Sequence, residues 1–387
     1  MNTSEAMLEL VRSAIFGGQI SDDTKAKLNN DEFKTDLLKT SKNHDIAHIV
    51  GYALDKEKLI DKDSDIGKIF ARTQFMAVYR FENMNRELDR VMDLFEKEKI
   101  DCVILKGSYI RKYYPEMWLR TSCDIDVLIH NEDAERAINL LKNRFGYEYK
   151  MKNLHDYQLY SKSRVHLELH YSLIEKDTVL KAEKQLDDVW EYVIKLEGYD
   201  HIYRMNDDMF YYYHVIHMAK HLLVGGCGIK PIIDTFIINK NFKFSPEKEK
   251  LLERGELKKL ESVSRKLAYV WFGDEESDEQ TERLGQFIVF GGVYGNMENR
   301  VAASKNRKGG SLGYAFFRIF LPYRYMTARY PELEKRKYMY PLYQLRRWYE
   351  IIFKGRAEYS INELKISQTM SEEKVEQTSM MLEDLGL

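Results

Sequence analysis

The sequence predicts an α+β protein, a mixed sheet with helices flanked by helical regions at both ends. Three observations carry this reading. Apolar residues recur at helical spacing up to about residue 98 and again after about residue 200. Between them, short apolar runs switch to a period of two. Those runs first alternate with helix-like stretches and then follow one another directly, as antiparallel strands do. The expected organisation is an N-terminal helical region at 1–98, a core at 99–200 and a C-terminal helical region at 201–387.

The elements follow in order. Asn2 is placed to cap a first helix with Glu5 three residues on, and Gly17 to end it. Between Asp65 and Glu98 a long amphipathic helix is marked by Ile66, Ile69, Phe70, Thr73, Ala77, Phe81, Met84, Leu88, Val91, Met92 and Phe95. "DCVIL" (101–105) reads as a short buried strand, and "KGSYIRKYY" as a helix beginning at Gly-Ser. "DIDVLIH" (124–130) is a second strand, followed by a helix expected to be capped by Asn131. "YEYKM", "YQLYS" and "VHLELHYSL" read as three further strands. "DDMFYYYHVIHMAKHLLVGG" is a helix stopping at Gly225-Gly226, and Pro231 falls in the first turn of the next. "KNRKGGSLG" (305–313) is a Gly/Lys-rich linker.

Composition narrows the function classes. Lys and Arg number 60 against 62 Asp and Glu, so the whole chain does not advertise a polyanion partner. From Arg300 to Arg356, however, 14 Lys/Arg stand against 3 Asp/Glu. Interleaved with Tyr and Trp, that segment reads as an amphipathic packing helix with a solvated cationic face; nucleic acid or an anionic membrane is the alternative. Three cysteines without metal-type spacing fit a reducing compartment. The opening stretch reads as a helix and not as a signal peptide, and no apolar run approaches the roughly 18 residues of a membrane span. A cytoplasmic location is expected.

The chemistry concentrates between Leu105 and His170. Gly107 permits close backbone approach, and Ser108 offers a hydroxyl beside free amide donors, a combination suited to phosphate oxygens or simply to a helix cap. Asp124 and Asp126 alternate with Ile125, Val127 and Ile129, so both carboxylates share one strand face. Such a pair suits Mg²⁺ or Mn²⁺ with substrate phosphates; the bland alternative is a solvated edge strand. His166, Glu168 and His170 also share a face. Were that strand to run beside 124–130, Glu168 would join the aspartates and complete a site for two-metal phosphoryl chemistry.

These residues resemble the polymerase-beta-like nucleotidyltransferase superfamily, with its apolar strand ending in Gly-Ser, Asp-x-Asp on the next strand and a later third carboxylate. "LKGSYI…LRTSCDIDVLI…HLELHYSL" is most similar to an uncharacterised bacterial nucleotidyltransferase family with Leu-Lys-Gly and Arg-x-x-x-Asp-x-Asp. The likeness covers about 105–171, and more faintly "HMAKH…GIKPIIDTFI" and "FGGVYG…PELEKRKYMYP". It implies that Gly107 and Ser108 hold the triphosphate of an NTP, that Asp124 and Asp126 bind the metal, and that Glu168 supplies the third carboxylate. Fifteen residues separate Ser108 from Asp124, a longer loop than in many relatives. The implied reaction transfers a nucleoside monophosphate to a hydroxyl of a small molecule or a protein, and the near-neutral charge disfavours a nucleic-acid acceptor.

The remaining candidates are weighed on their neighbours. Lys106 and Arg120 flank the site and are expected to contact phosphate, with Arg120 balancing the aspartates. His166, Glu168 and His170 could instead hold zinc in a metal-dependent hydrolase, although no fourth ligand is evident. His170, His217 and His221 are expected to line a substrate cleft, the last two, one helical turn apart, having packing between domains as the alternative. Lys230 and Asp234 read as a surface pair on one helix. A nucleotide-sensing binding protein on the same fold is the rival from another class.

Overall fold

Seven strands form one mixed sheet in the computed structural model, which describes residues 2–174, 180–293, 295–305, 310–353 and 357–387. In chain order they are β1 (Cys102–Ile104), β2 (Asp124–Ile129), β3 (Glu148–Lys152), β4 (Asp156–Tyr160), β5 (His166–His170), β6 (Val193–Lys195) and β7 (Ile202–Met205). Their spatial order is β3-β4-β5-β2-β1-β7-β6. β2 lies inside the sheet, parallel to β5 on one side and antiparallel to β1 on the other. It is therefore not a solvated edge strand. β3, β4 and β5 form the antiparallel run expected from the sequence, and β7 pairs parallel with β1.

The alternation seen in the sequence governs burial. Ile125, Val127 and Ile129 of β2 and Leu167 and Leu169 of β5 are buried in the same core as Val91 and Phe95 of the long helix Asp65–Lys97. That helix is capped by Ser64 and buries Phe70, Ala77, Met84, Leu88, Val91, Met92 and Phe95 along one face. Ile69 departs from expectation: it is exposed, together with Phe75, Met76 and Tyr79. The first helix, Thr3–Phe16, carries the predicted capping box between Asn2 and Glu5, and Gly17 closes it in the left-handed region at φ 75°.

Two details differ. Asn131 does not cap the helix after β2; a 3-10 turn, Asn131–Asp133, leads into helix Ala134–Leu140 with no side-chain cap. The helix expected at Gly-Ser begins one residue earlier and is short, Lys106–Ile110. Farther on, helix Asp207–Leu223 runs into Gly225 and Gly226, both at positive φ. A Cβ at Gly225 would come within 2.7 Å of the Arg300 backbone nitrogen, so glycine is required there. Pro231 occupies the first turn of helix Lys230–Asn241 as predicted. The linker expected at 305–313 lies partly outside the described residues.

One contiguous core runs from Met7 to Leu385 through the sheet and the helices on either side. Helix Asp207–Leu223 contributes Tyr211 and Tyr212, both fully buried, whose hydroxyls bond Glu261 (2.9 Å) and the Ala182 carbonyl (2.7 Å). A fragment of residues 99–200 would lack β7 and this helix, exposing the flank of β1. Circular dichroism should find it without a cooperative thermal transition, whereas the full chain unfolds cooperatively.

Candidate active site

Three adjacent strands present one polar face. Their register sets Asp124 beside His166 and His166 beside Tyr160; Asp126 beside Glu168 and Glu168 beside Gln158; Leu128 beside His170 and His170 beside Asp156. Side chains directly opposite one another lie on the same side of a sheet. Parallel pairing of β2 and β5 thus brings the three carboxylates expected from the sequence together. Ligand atoms of Asp124, His166 and Glu168 lie within 4.8 Å of one another, as do those of Asp126, Glu168 and His170. Glu168 belongs to both groups.

The two aspartates are not equivalent. Asp126 is 6% exposed and accepts from His170 Nε2 at 2.9 Å, with Lys106 Nζ 3.5 Å away. Burial would raise its pKa, but Lys106 and His170 outweigh burial and hold it below the ordinary carboxylate range. Asp124 has no ion pair or hydrogen bond to a cation among the described residues, and Lys106 and His170 lower its pKa only weakly from farther off. Burial first, then Asp126 and Glu168, push it up to about 7. His170 moves the opposite way to a buried imidazole, because its bonds to Asp126 and Glu168 outweigh burial and raise it to about 9. His166 stacks on Tyr160 (4.6 Å between centroids), and its Nε2 has no hydrogen-bond partner among the described residues.

The turn after β1 approaches this face directly. The Leu105 N–H donates to the Asp126 carbonyl at 3.2 Å, and the next residue, Lys106, adopts φ 41°. A lysine in the left-handed region costs on the order of 1 kcal/mol. That conformation accompanies a side chain held between Asp126 and the Tyr213 ring. Around Gly107, positive charge accumulates. Arg111, buried, donates through Nε to the Gly107 carbonyl (3.0 Å) and through Nη2 to Ser122 Oγ (3.2 Å). It has no carboxylate partner among the described residues, and burial together with Arg120 lowers its pKa to about 10. Ser108 is half-buried beside it.

Arg120 does not balance the metal-type aspartates as the sequence suggested. It forms a two-pronged pair with Asp234, Nε and Nη2 lying 2.8–3.0 Å from the carboxylate, while Tyr114 donates to the same group at 2.7 Å. The cation beside Asp126 is Lys106. Nor are Lys230 and Asp234 a surface pair. Lys230 crosses to Asp45 in the N-terminal region and to Thr121 Oγ1 (2.9 Å), while Asp234 is buried under Arg120. One helical turn made them neighbours in sequence, but each has a better-placed partner across the fold.

Lys106, Gly107 and Arg120 open onto a cavity of about 160 Å³ whose far wall is Tyr213, His214, His217 and His221. His217 and His221 face each other at 3.3 Å, and burial, then Lys106, hold His217 well below its ordinary value. A family model described as "Uncharacterised nucleotidyltransferase" matches residues 31–272. The chain belongs to that nucleotidyltransferase family. The match runs from the N-terminal helices through the whole sheet to helix Lys258–Phe272, and so includes every residue of this face and every residue lining the cavity except Val293. No curated protein and no solved structure matches the chain.

Sequence reasoning missed several residues in and around this face and cavity. Arg111 looked like one cation among several, and Tyr213 like part of an apolar helix. Asp156, buried opposite His170 with neither oxygen hydrogen-bonded, gave no signal beyond its place at the start of a strand.

The charge pattern predicts opposite outcomes for the two aspartates. With Asp124 raised from 3.8 to about 7, the native state holds this proton more tightly, so metal-free stability falls as pH climbs through that range. His170, raised from 6.5 to about 9, stabilises below 6.5 and loses that contribution as pH rises through about 9. Together these two groups should therefore make a contribution that declines from mildly acidic to alkaline pH, against which the buried His48, His214 and His217, whose pKa values burial lowers, add stability as pH rises toward 6.5. Asp124→Asn should flatten the acidic part of that decline and raise the midpoint at neutral pH. Asp126→Asn should cost about 3–5 kcal/mol by stripping the buried cations of their partner. Denaturation at several pH values with a chelator present checks both.

Proposed function

We propose that this nucleotidyltransferase moves a nucleoside monophosphate from an NTP to a hydroxyl of a small molecule or a protein side chain, releasing pyrophosphate, with Mg²⁺ or Mn²⁺ as cofactor. The proposal extends to a core of the polymerase-beta-like type. The observation that carries it is the convergence of Asp124, Asp126 and Glu168 on one sheet face beside a turn whose Arg111 lacks a counter-charge.

The donor set fits a hard cation, since each of the two groups offers two carboxylates and they share Glu168. Bound there, the ion would neutralise the triphosphate and act as a Lewis acid at phosphorus. The chain's own residues do the rest. Lys106, Gly107, Ser108 and Arg111 hold the triphosphate, with Arg120 in the same wall, and His170 and Lys106 keep Asp126 ionised. Glu168 takes the proton of the acceptor hydroxyl as its oxygen bonds to the α-phosphorus. The bond from that phosphorus to the bridging oxygen breaks, and its electron pair leaves with pyrophosphate. The histidine-lined cavity beyond Lys106 receives the acceptor.

A metal-dependent hydrolase on His166, Glu168 and His170 is the second reading, favoured by the imidazole in each donor group. His170 weighs against it. Holding its proton to about pH 9, it donates to Asp126 and offers no free lone pair at Nε2. A sensor would bind NTP without turnover, and incubation with each α-labelled NTP and a cell extract separates it from a transferase.

Glu168→Gln should lower transfer by roughly two orders of magnitude or more, as loss of a general base does, while NTP affinity largely persists. Under the hydrolase reading His166→Ala would be equally damaging and bound metal would be lost, so turnover, affinity and metal content measured on both variants decide. Near-normal transfer by Glu168→Gln would remove Glu168 from the chemistry.

At the turn, a Cβ on Gly107 would meet Arg120 Nη1 and Ser122 Cβ at 3.5 Å, an ordinary contact. Gly107→Ala should therefore fold normally, yet bind NTP at least tenfold more weakly if phosphate oxygens approach that backbone. Calorimetry beside a thermal melt reads both.

A further inference from the structure

The cationic, aromatic segment near the C-terminus does not pack as the sequence suggested. Helix Tyr340–Phe353 turns Gln344 and Arg347 inward, and Arg347 Nη2 and Trp348 Nε1 both donate to the Ile319 carbonyl, at 2.6 and 2.8 Å. Fixing those residues sends the opposite stripe outward. Leu342, Leu345, Tyr349, Ile352 and Phe353 are between 57% and 69% exposed. Their spacing of three and four residues makes one apolar stripe along the helix. Phe320, whose ring lies 5.4 Å from Trp348, and Phe316 beside it extend the exposed surface onto the C-terminal end of helix Gly310–Ile319. Soluble chains rarely leave so many large apolar side chains together without a use.

The charge around the stripe identifies what covers it. Lys335, Arg336 and Lys337, immediately before the helix, are exposed and have no ion-pair partner among the described residues. Arg324 is exposed as well, and so is Arg346, which pairs with Glu350; against these cations stand the exposed Glu332 and Glu334, which leaves the patch net positive. A second copy of the chain would set this surplus of positive charge against itself, because a two-fold interface pairs a patch with the same patch. Nucleic acid would answer the cations but gain nothing from Leu342, Leu345 and Ile352. An anionic phospholipid surface answers both: acyl chains take the aliphatic and aromatic stripe, and headgroups take the cations. We propose that helix Tyr340–Phe353 and the preceding Lys335–Lys337 turn form an interfacial docking face for an anionic membrane. The helix lies on the bilayer without crossing it, and no helix among the described residues is long and apolar enough to cross.

Flotation of the full chain with vesicles tests this. Binding is expected to phosphatidylcholine vesicles containing phosphatidylglycerol, to weaken at high salt, and to be absent with phosphatidylcholine alone. Leu345→Glu/Tyr349→Glu/Ile352→Glu should lower binding at least tenfold. Lys335→Ala/Arg336→Ala/Lys337→Ala should lower it by roughly a hundredfold, at the usual contribution of each cation near such a surface. Thermal melts should match the unaltered protein, because every changed side chain is exposed; were the apolar variant to misfold, the alanine variant decides alone. No flotation with anionic vesicles, equal flotation with neutral ones, or undiminished binding by the alanine variant would overturn the proposal. So would sedimentation showing a concentration-dependent dimer that the apolar substitutions abolish, since the occupant would then be a second copy.

Discussion

Like charges gathered on neighbouring strands are costly, and the pairing of β2 with β5 gathers three of them. Parallel register fixes Asp126 against Glu168 with Asp124 one step along, so no side-chain rearrangement can separate them without breaking the sheet. The structure offsets this repulsion unevenly. Lys106 and His170 both turn to Asp126, the deepest of the three, while Asp124 is left to repel its neighbours. The left-handed lysine at 106, the raised imidazole of His170 and the displaced Asp124 proton are consequences of that single arrangement.

A second set of charges ties the surrounding regions together. The loop between Ser108 and Asp124 is anchored at Arg111 to Gly107 and Ser122, and at Arg120 to Asp234 of helix Lys230–Asn241. Lys230, on the same helix, reaches Asp45 and Thr121. N-terminal region, loop and C-terminal helix therefore meet at two ion pairs beside the turn, of which Arg120–Asp234 is buried, so that removing one of its partners would strand the other. Such pairs hold a long loop in one place, which the proposed phosphate-binding turn would require.

Much of this was legible because short-range rules governed it. Alternation put Asp124 and Asp126 on one face and Glu168 between two histidines, and the capping residues of the first helix announced themselves locally. What escaped depended on partners far along the chain. Nothing in the sequence spacing says that Arg120 belongs to Asp234 and not to Asp124, or that Lys230 belongs to Asp45. At Asn131 a polar residue in the right place was not a cap, because the chain enters that helix through a 3-10 turn. Along 340–353 the helical period was legible but not its orientation, which is set by Arg347 and Trp348 reaching the Ile319 carbonyl.

The uneven balance bears on how the proposed site would accept a cation. Asp126 already has two positive partners and Glu168 shares only His170 with it, so most of the unmet negative charge lies with Asp124 and Glu168 at the less buried end of the face. A divalent ion arriving from solvent meets those two carboxylates first. Only afterwards can Asp126 be drawn away from Lys106 and His170. Released from Asp126, Lys106 is adjacent to Gly107 and to the cavity, where a triphosphate would take its charge. In the proposed site a metal would therefore compete with Lys106 and His170 for Asp126, and a triphosphate would take up the released lysine, which would couple the two binding events.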